Sequence, residues 1–444
     1  MAQEAPVNGG PRQQYERVPA QPENPFAALI PDQHIAVIPE FTLESGISLR
    51  NVPVAYTTRG KLSPDADNAM VICHALTGSA DVSDWWGPLI GGPGRAFDTS
   101  RFFVVCMNSL GSPYGTASPV TAKDGDPAKG RYGPEFPLTS IRDDVNLHKL
   151  LLDDLGVKQV AAVVGGSLGG MFVLEWAYFG RDYVRWGEAQ RQSIYADPKY
   201  DDGYYPFDDP PTAGLGAARM SALLTYRSRN SFEARFGRNT PDPSKGQTIR
   251  EPTRPSTPSE AHFRIHNDGH KFEGPGKDGG GGLTGGEAMP TSTYFSAQSY
   301  LRYQGTKFVK RFDGNCYIAM TRKLDTHDVS RSRASTIAEA LGLIQQPTLV
   351  LGIESDGLFT FAEQEEIAQH VGNARLERIN SPEGHDAFLL QFEQVNRYIL
   401  AFLKEVLPDM MSREGDALDE ETGVGQVTKS STFGEAEVED ITAW

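Results

Sequence analysis

Five short apolar runs recur along the chain: "AMVICHAL" (69–76), "RFFVVCMN" (101–108), "QVAAVVGG" (159–166), "PTLVLGIE" (347–354) and "ARLERIN" (374–380). Most are continuous and rich in β-branched residues, the pattern of strands buried on both faces of a parallel sheet. Two earlier runs, "HIAVIPEFTL" and "VPVAYTTRG", also read as strands. Between several of them the period changes to helical. "TSIRDDVNLHKLLLDDLG" opens with Thr139 and stops at Gly156, which supplies a cap at each end. "FAEQEEIAQHVG" separates the last two strands, and "FEQVNRYILAFLKEVL" closes the series. Strand and helix in alternation predict an α/β fold, a mostly parallel sheet wrapped by helices.

Residues 186–330 break that rhythm. They read as helices, among them "GLGAARMSALLTYRS", with a long polar stretch containing "KDGGGGLTGGE". The expected organisation is a loose N-terminus over 1–30 and a first part of the α/β core over 31–185. A helical lid follows over 186–330, with a disordered insert at about 240–290. The second part of the core spans 331–408, and an acidic disordered tail spans 409–444.

Composition narrows the function classes. A net charge of −16 argues against nucleic acid or an anionic membrane as partner. No apolar run approaches the roughly 20 residues of a membrane span, and the N-terminal stretch has no apolar core of a signal peptide. The three cysteines Cys73, Cys106 and Cys316 fit a reducing compartment, so a cytoplasmic location is expected. His262, His266 and His270 are spaced four apart, which on a helix could hold a metal. Their Pro- and Gly-rich surroundings favour a solvated loop instead, and no metal is expected.

One serine stands out. Ser167 follows the strand "QVAAVV", precedes the helix "LGGMFVLEWAYFG", and sits in Gly165-Gly166-Ser167-Leu168-Gly169, a G-x-S-x-G nucleophile elbow. A strand that turns at once into a helix strains the serine backbone, and side chains two residues to either side would collide. A Gly-rich turn without chemistry is the plainer reading, but the strand–turn–helix context favours the elbow. "GGSLGG" lacks the spacing and lysine of a phosphate-binding loop.

A nucleophilic serine needs a base and an orienting acid, which follow it in that elbow's chain order as acid, then histidine. Asp356 stands just after the strand "LVLGIE", and His385 lies in the loop after the next strand. Rival bases are His370, mid-helix, and His327, in a lid-side segment; rival acids are Asp386 and Glu354. For the oxyanion, the backbone amides of Leu168 and Leu76 are the expected donors. His74 precedes the serine, the wrong order for a base, and is expected to shape its loop.

Together these residues resemble the homoserine O-acetyltransferase family, more narrowly its fungal members. The resemblance runs from about Phe41 to Leu407 through "FTLESG", "CHALTGSADVSDWWGPLIGGPGRAFDTSRFFVVCMNSLGS", "YGPEFPLTSIRDDV", "GGSLGGM", "GEAQRQSIYADP", "LTYRS", "SYLRYQGTKFVKRFDGNCYIAMTRKLDTHD", "SDGLF" and "EGHDAF". It implies an α/β-hydrolase fold with an inserted helical lid, commonly as a homodimer. It implies ping-pong transfer from acetyl-CoA, a co-substrate, through an acetyl-Ser167 to L-homoserine, in methionine biosynthesis, with no bound cofactor. It further implies that Arg227 binds the homoserine carboxylate and Asp386 faces its ammonium. Deacetylcephalosporin C acetyltransferases and serine O-acetyltransferases look similar. With water as acceptor the same triad gives an esterase.

One departure stands against the family pattern. The chain passes from "YFGRDYVR" directly to "WGEAQRQSIYADPKY", with no strand-like run between. A stretch near 185–186, and with it a core strand beside the nucleophile strand, is expected to be missing. An inactive relative is therefore a further reading.

Overall fold

A computed structural model describes residues 15–177, 184–239, 257–266 and 295–415. The chain begins with β1 (Glu16–Val18), β2 (His34–Thr42), β3 (Ser48–Arg59) and β4 (Ala69–Cys73). A short helix α1 (Val82–Trp86) precedes the two-residue pair β5 (Ile90–Gly91) and β6 (Phe97–Asp98), then β7 (Phe103–Met107). Helix α2 (Ile141–Asp154), β8 (Val160–Gly165) and α3 (Leu168–Ala177) follow. The N-cap of α2 is Ser140 rather than Thr139. Its hydroxyl accepts from the Asp143 amide, and the Asp143 carboxylate accepts from the Ser140 amide, a reciprocal capping box.

The sheet comes in two pieces. Six strands run in the order β1-β2-β3-β7-β4-β8. The first three are antiparallel, β3 is antiparallel to β7, and β4 pairs parallel with both β7 and β8. Among the described residues, the later strands β9 (Thr348–Ile353) and β10 (Ala374–Ile379) pair in parallel with each other alone. All five residues of β4 are buried, as befits a central strand. All six residues of β8 are only half-buried, although its sequence is as apolar.

Between β8 and β9 the chain forms mainly helices: α4 (Val184–Tyr195), α5 (Thr212–Tyr226), α6 (Arg229–Arg235), α7 (Pro258–His266), α8 (Ser296–Val309), α9 (Gly314–Asp325) and α10 (Ile337–Leu341). Helix α4 packs on α5 and α9, and α5 on α8. Their shared core includes Ile194, Leu215, Phe308, Phe312 and Tyr317. The C-terminal part adds α11 (Phe361–His370), α12 (Ala387–Leu390), α13 (Phe392–Val406) and α14 (Pro408–Ser412). The two faces of the main sheet are covered by separate apolar cores. A buried ion pair between Lys323 of α9 and Asp144 of α2 ties the lid to the core. The Lys323 ammonium also donates to the Leu110 carbonyl at 2.6 Å, and Asp144 accepts from the Leu110 amide at 2.6 Å.

Three boundaries differ from expectation. Within 1–30, expected to be loose, β1 pairs with β2 and the Asn24 side chain is fully buried, donating to the Gln21 side chain and the Pro113 carbonyl. Polar side chains hold this segment down, so its composition hid the order. Within the insert expected at 240–290, residues 258–266 form α7, and its His262 and His266 are exposed on a helix instead of in a loop. The rest of that insert, including His270, lies outside the described residues. So does the tail beyond 415, while α14 ends at Ser412, inside the span expected to be disordered. Among the described residues, no helix is long and apolar enough to cross a membrane.

Candidate active site

The site begins at the end of β8. Ser167 has φ +59°, a left-handed conformation that costs a residue with a side chain about 1–3 kcal/mol. Helix α3 starts at the next residue, and the Gly169 and Gly170 amides already donate to the Gly166 and Ser167 carbonyls. Glycines make the bend possible. A Cβ at Gly165 would lie 2.4 Å from the Gly169 carbonyl oxygen, and one at Gly169 would lie 2.1 Å from that of Cys73 on β4. Strand and helix therefore approach more closely than any side chain permits, and the Ser167 side chain is left facing the cavities described below.

Asp356 follows β9, and His385 lies in a short 3-10 turn (Gly384–Asp386) beyond β10. The two side chains meet: His385 Nδ1 donates to Asp356 Oδ2 at 2.6 Å. The other oxygen, Oδ1, accepts from the Leu358 and Phe359 amides at 2.8 and 2.9 Å, which fixes the carboxylate. The imidazole stacks on Phe359 with centroids 5.0 Å apart and meets Phe388 edge-on at 5.5 Å. Burial disfavours the imidazolium, but the charge and hydrogen bond of Asp356 outweigh it, so the His385 pKa is raised above its ordinary value. Its Nε2 is buried and makes no hydrogen bond. Ser167 and His385 line the same two cavities, of about 590 and 100 Å³, and no hydrogen bond joins them.

The rivals have other roles. His74 is buried; Nδ1 donates to the Ala75 carbonyl at 2.8 Å and Nε2 accepts from the Ser109 amide at 3.0 Å. Burial pushes its pKa down to about 4, so it stays neutral and ties two loops together. His370 is exposed at the end of α11. His327 is buried, 3.7 Å from Glu175. Glu354 pairs with Arg378 at the surface. Asp386 is beside His385 in sequence but bonds elsewhere, as described next. Of the expected oxyanion donors, Leu168 is the first residue of α3, whose amide has no carbonyl one turn earlier to bond. Leu76 lines the smaller cavity with Ser167 and His385.

Arg227, the C-cap of α5, and Asp386 are brought together, with Arg227 Nε 2.8 Å from Asp386 Oδ2. Arg227 also donates to Glu383 at 2.8 Å. Burial opposes the charge of Glu383, but the Ser231 hydroxyl and the Arg235 and Arg227 guanidinium groups hold its pKa below the usual carboxylate value. Sequence reasoning missed Glu383, and it missed Arg219. The latter is buried, lines the smaller cavity, and lies 5.4 Å from the Tyr226 ring centre and 5.1 Å from that of Phe308. The signal was available: Arg219 stands two helical turns before Arg227 in α5. Among the described residues no cluster of His, Cys, Asp or Glu could hold a metal ion.

Comparison with known proteins agrees with this fold. Residues 68–392 match a family model described as the alpha/beta hydrolase fold. A homoserine O-acetyltransferase of Emericella nidulans is 65% identical over 487 residues, covering 98% of this chain and 99% of that protein. One from Saccharomyces cerevisiae is 50% identical over 476 residues, covering 95% and 96%. Among solved structures, homoserine O-acetyltransferase from Bacillus anthracis matches with a TM-score of 0.65 at 20% identity, covering 87% of this chain and 99% of that one. Esterase E22 matches with a TM-score of 0.66 at 21% identity, covering 84% and 99%. At those identities the structural likeness shows the shared fold.

Proposed function

The chain belongs to the homoserine O-acetyltransferase family of α/β hydrolases, and on that premise we propose that it transfers an acetyl group from acetyl-CoA to the γ-hydroxyl of L-homoserine, a cytoplasmic step of methionine biosynthesis. Ser167 Oγ attacks the thioester carbonyl while His385 Nε2 takes its proton. The carbon–sulfur bond breaks, and the CoA thiolate leaves with that proton. The homoserine hydroxyl then attacks the acetyl-serine, His385 again takes the proton, and returning it to Ser167 Oγ restores the enzyme.

Asp356 holds the imidazole with Nε2 toward the cavity and stabilises the cation formed in each half-reaction. The Leu76 and Leu168 amides receive the oxyanion; removing one such donor typically costs about 3 kcal/mol of transition-state stabilisation. Arg227 is the group for the homoserine carboxylate, because its planar fork suits a two-point contact, and Asp386 is the group for the ammonium. In the free protein these two neutralise each other at 2.8 Å, so the amino acid's own pair of charges would replace an existing ion pair.

The observation that carries this reading is the strained Ser167 at the strand–helix bend, facing the cavities that hold a histidine already oriented by Asp356. Its test is CoA release from acetyl-CoA with and without L-homoserine. Release that depends on homoserine and yields O-acetylhomoserine is expected. Equal release in both tubes would make the protein an esterase-type hydrolase instead.

A further inference from the structure

The loop after β4 carries the Leu76 amide, and it is a tight turn. The Gly78 amide donates to the Ala75 carbonyl at 2.9 Å, closing a four-residue β-turn with Leu76 and Thr77 at its centre. A trans peptide unit is planar, so its C=O and N–H point in opposite directions. The Ala75 carbonyl points into the turn, which aims the Leu76 N–H of the same peptide outward at one end. The Gly78 N–H points into the turn, which sends the Thr77 carbonyl outward at the other. Leu76, Thr77 and Gly78 line the smaller cavity with Ser167 and His385.

Side chains hold this turn from two directions. From the core, His74 Nδ1 donates to the Ala75 carbonyl at 2.8 Å, beside the Gly78 amide. From the lid, Arg311 donates to the Thr77 carbonyl at 3.2 Å. Arg311 stands in the short connection between α8 and α9 and is buried. It is itself fixed: it donates to the Tyr114 hydroxyl at 3.1 Å, that hydroxyl donates to the Arg311 carbonyl at 2.9 Å, and the guanidinium lies 4.9 Å from the Phe308 ring centre. Burial pushes the Tyr114 phenol up to about 12, so it stays a neutral hydroxyl able to donate and accept.

These contacts form one directed chain. Arg311 donates to the Thr77 C=O; the Gly78 N–H of that peptide donates to the Ala75 C=O; the Leu76 N–H of the next peptide is the donor at the end. The peptide dipoles point the same way, positive end toward Leu76, and hydrogen bonds in series polarise one another. At the other end stands a guanidinium, a group that stays protonated in proteins.

We propose that Arg311 is a positioning residue for the oxyanion: from the lid it fixes the Ala75–Gly78 turn, and through that turn it aims and strengthens the Leu76 donor before substrate arrives. It acts through Thr77 and Gly78 rather than on the reacting atoms. The inference rests on the reading of Leu76 as an oxyanion donor. It is independent of the acceptor, because transfer and hydrolysis pass through the same oxyanion.

The test is cleavage of p-nitrophenyl acetate by the full chain, which needs Ser167 and the oxyanion donors but neither CoA nor homoserine. Arg311→Met keeps a stem to pack on Phe308 and removes both donor and charge; Arg311→Lys restores a charged donor. In Arg311→Met, kcat is expected to fall by about tenfold or more, short of the roughly 10²–10³-fold loss of a whole oxyanion donor. KM should stay within about twofold, as an interaction made in the transition state alone requires, and Arg311→Lys should recover most of the loss. An unchanged kcat, a rise in KM alone, or a lysine variant no better than the methionine one would overturn the proposal. If thermal melting shows that Arg311→Met does not fold, Arg311→Gln must show the same fall in kcat at smaller size, and an unchanged kcat there overturns it. Ester cleavage that persists in Ser167→Ala would remove the oxyanion and the inference with it. Ester cleavage through Ser167, in a protein whose CoA release ignores homoserine, would end the transfer reading and leave the Arg311 comparison decisive.

Discussion

At the residue scale, the proposed triad rests on three side chains from separate parts of the chain, and each has a distinct signature. Ser167→Ala is expected to abolish CoA release above background while leaving the fold intact, since a small residue keeps the bend; thermal melting alongside the assay checks this. The base gives a pH signature. His385 titrates above the ordinary histidine value of about 6.5, because the Asp356 charge outweighs burial. Catalysis needs the neutral imidazole, so kcat/KM is expected to fall on the acid side with a midpoint above that ordinary value. Asp356→Asn removes the larger of the two carboxylate influences that raise the pKa, leaving the charge of Asp386 against burial, which lowers it. The midpoint should then move down, and the rate should fall by about 10⁴-fold, as when the acid of such a triad is amidated. The sign for stability is opposite in sense to that for activity. A histidine raised in the folded state adds stability below its unfolded pKa, and that contribution is lost as pH rises through the folded value.

At the scale of elements, the strands and helices were legible wherever hydrophobic period and caps agreed. β4, β7, β8, β9 and β10 fall within the apolar runs, and α2, α11 and α13 within the helical patterns. The cap of α2 was misplaced by one residue, since Thr139 and Ser140 are both competent and only geometry decides. Ser140→Ala is expected to cost about 1 kcal/mol in denaturant unfolding, and Thr139→Ala clearly less. The Lys323–Asp144 pair was not legible at all, because its members are 179 residues apart in sequence. Both side chains are fully buried, so Lys323→Met, which leaves Asp144 without its cation, should cost about 3–5 kcal/mol in the same unfolding measurement.

At the scale of the molecule, G-x-S-x-G and the order serine, acid, histidine led to the candidate residues because each motif sits at the C-terminal end of a strand, and parallel strands deliver those ends to one edge. Glu383 was missed because its contacts with Arg227 and Ser231 join distant parts of the chain, which no local pattern encodes, whereas Arg219 had a signal in its spacing from Arg227. Among the described residues the sheet comes in two pieces, a division that required the coordinates. The order in residues 15–30 was hidden because polar side chains, not an apolar face, fasten them.

The most direct test of the central claim is the intact mass of the protein after brief exposure to acetyl-CoA without homoserine, with the modified peptide sequenced. The account predicts one added acetyl group, on Ser167, that disappears when L-homoserine is supplied and never forms in Ser167→Ala. Folded protein that releases CoA with Ser167 unmodified, or carries its acetyl group on another residue, would contradict it.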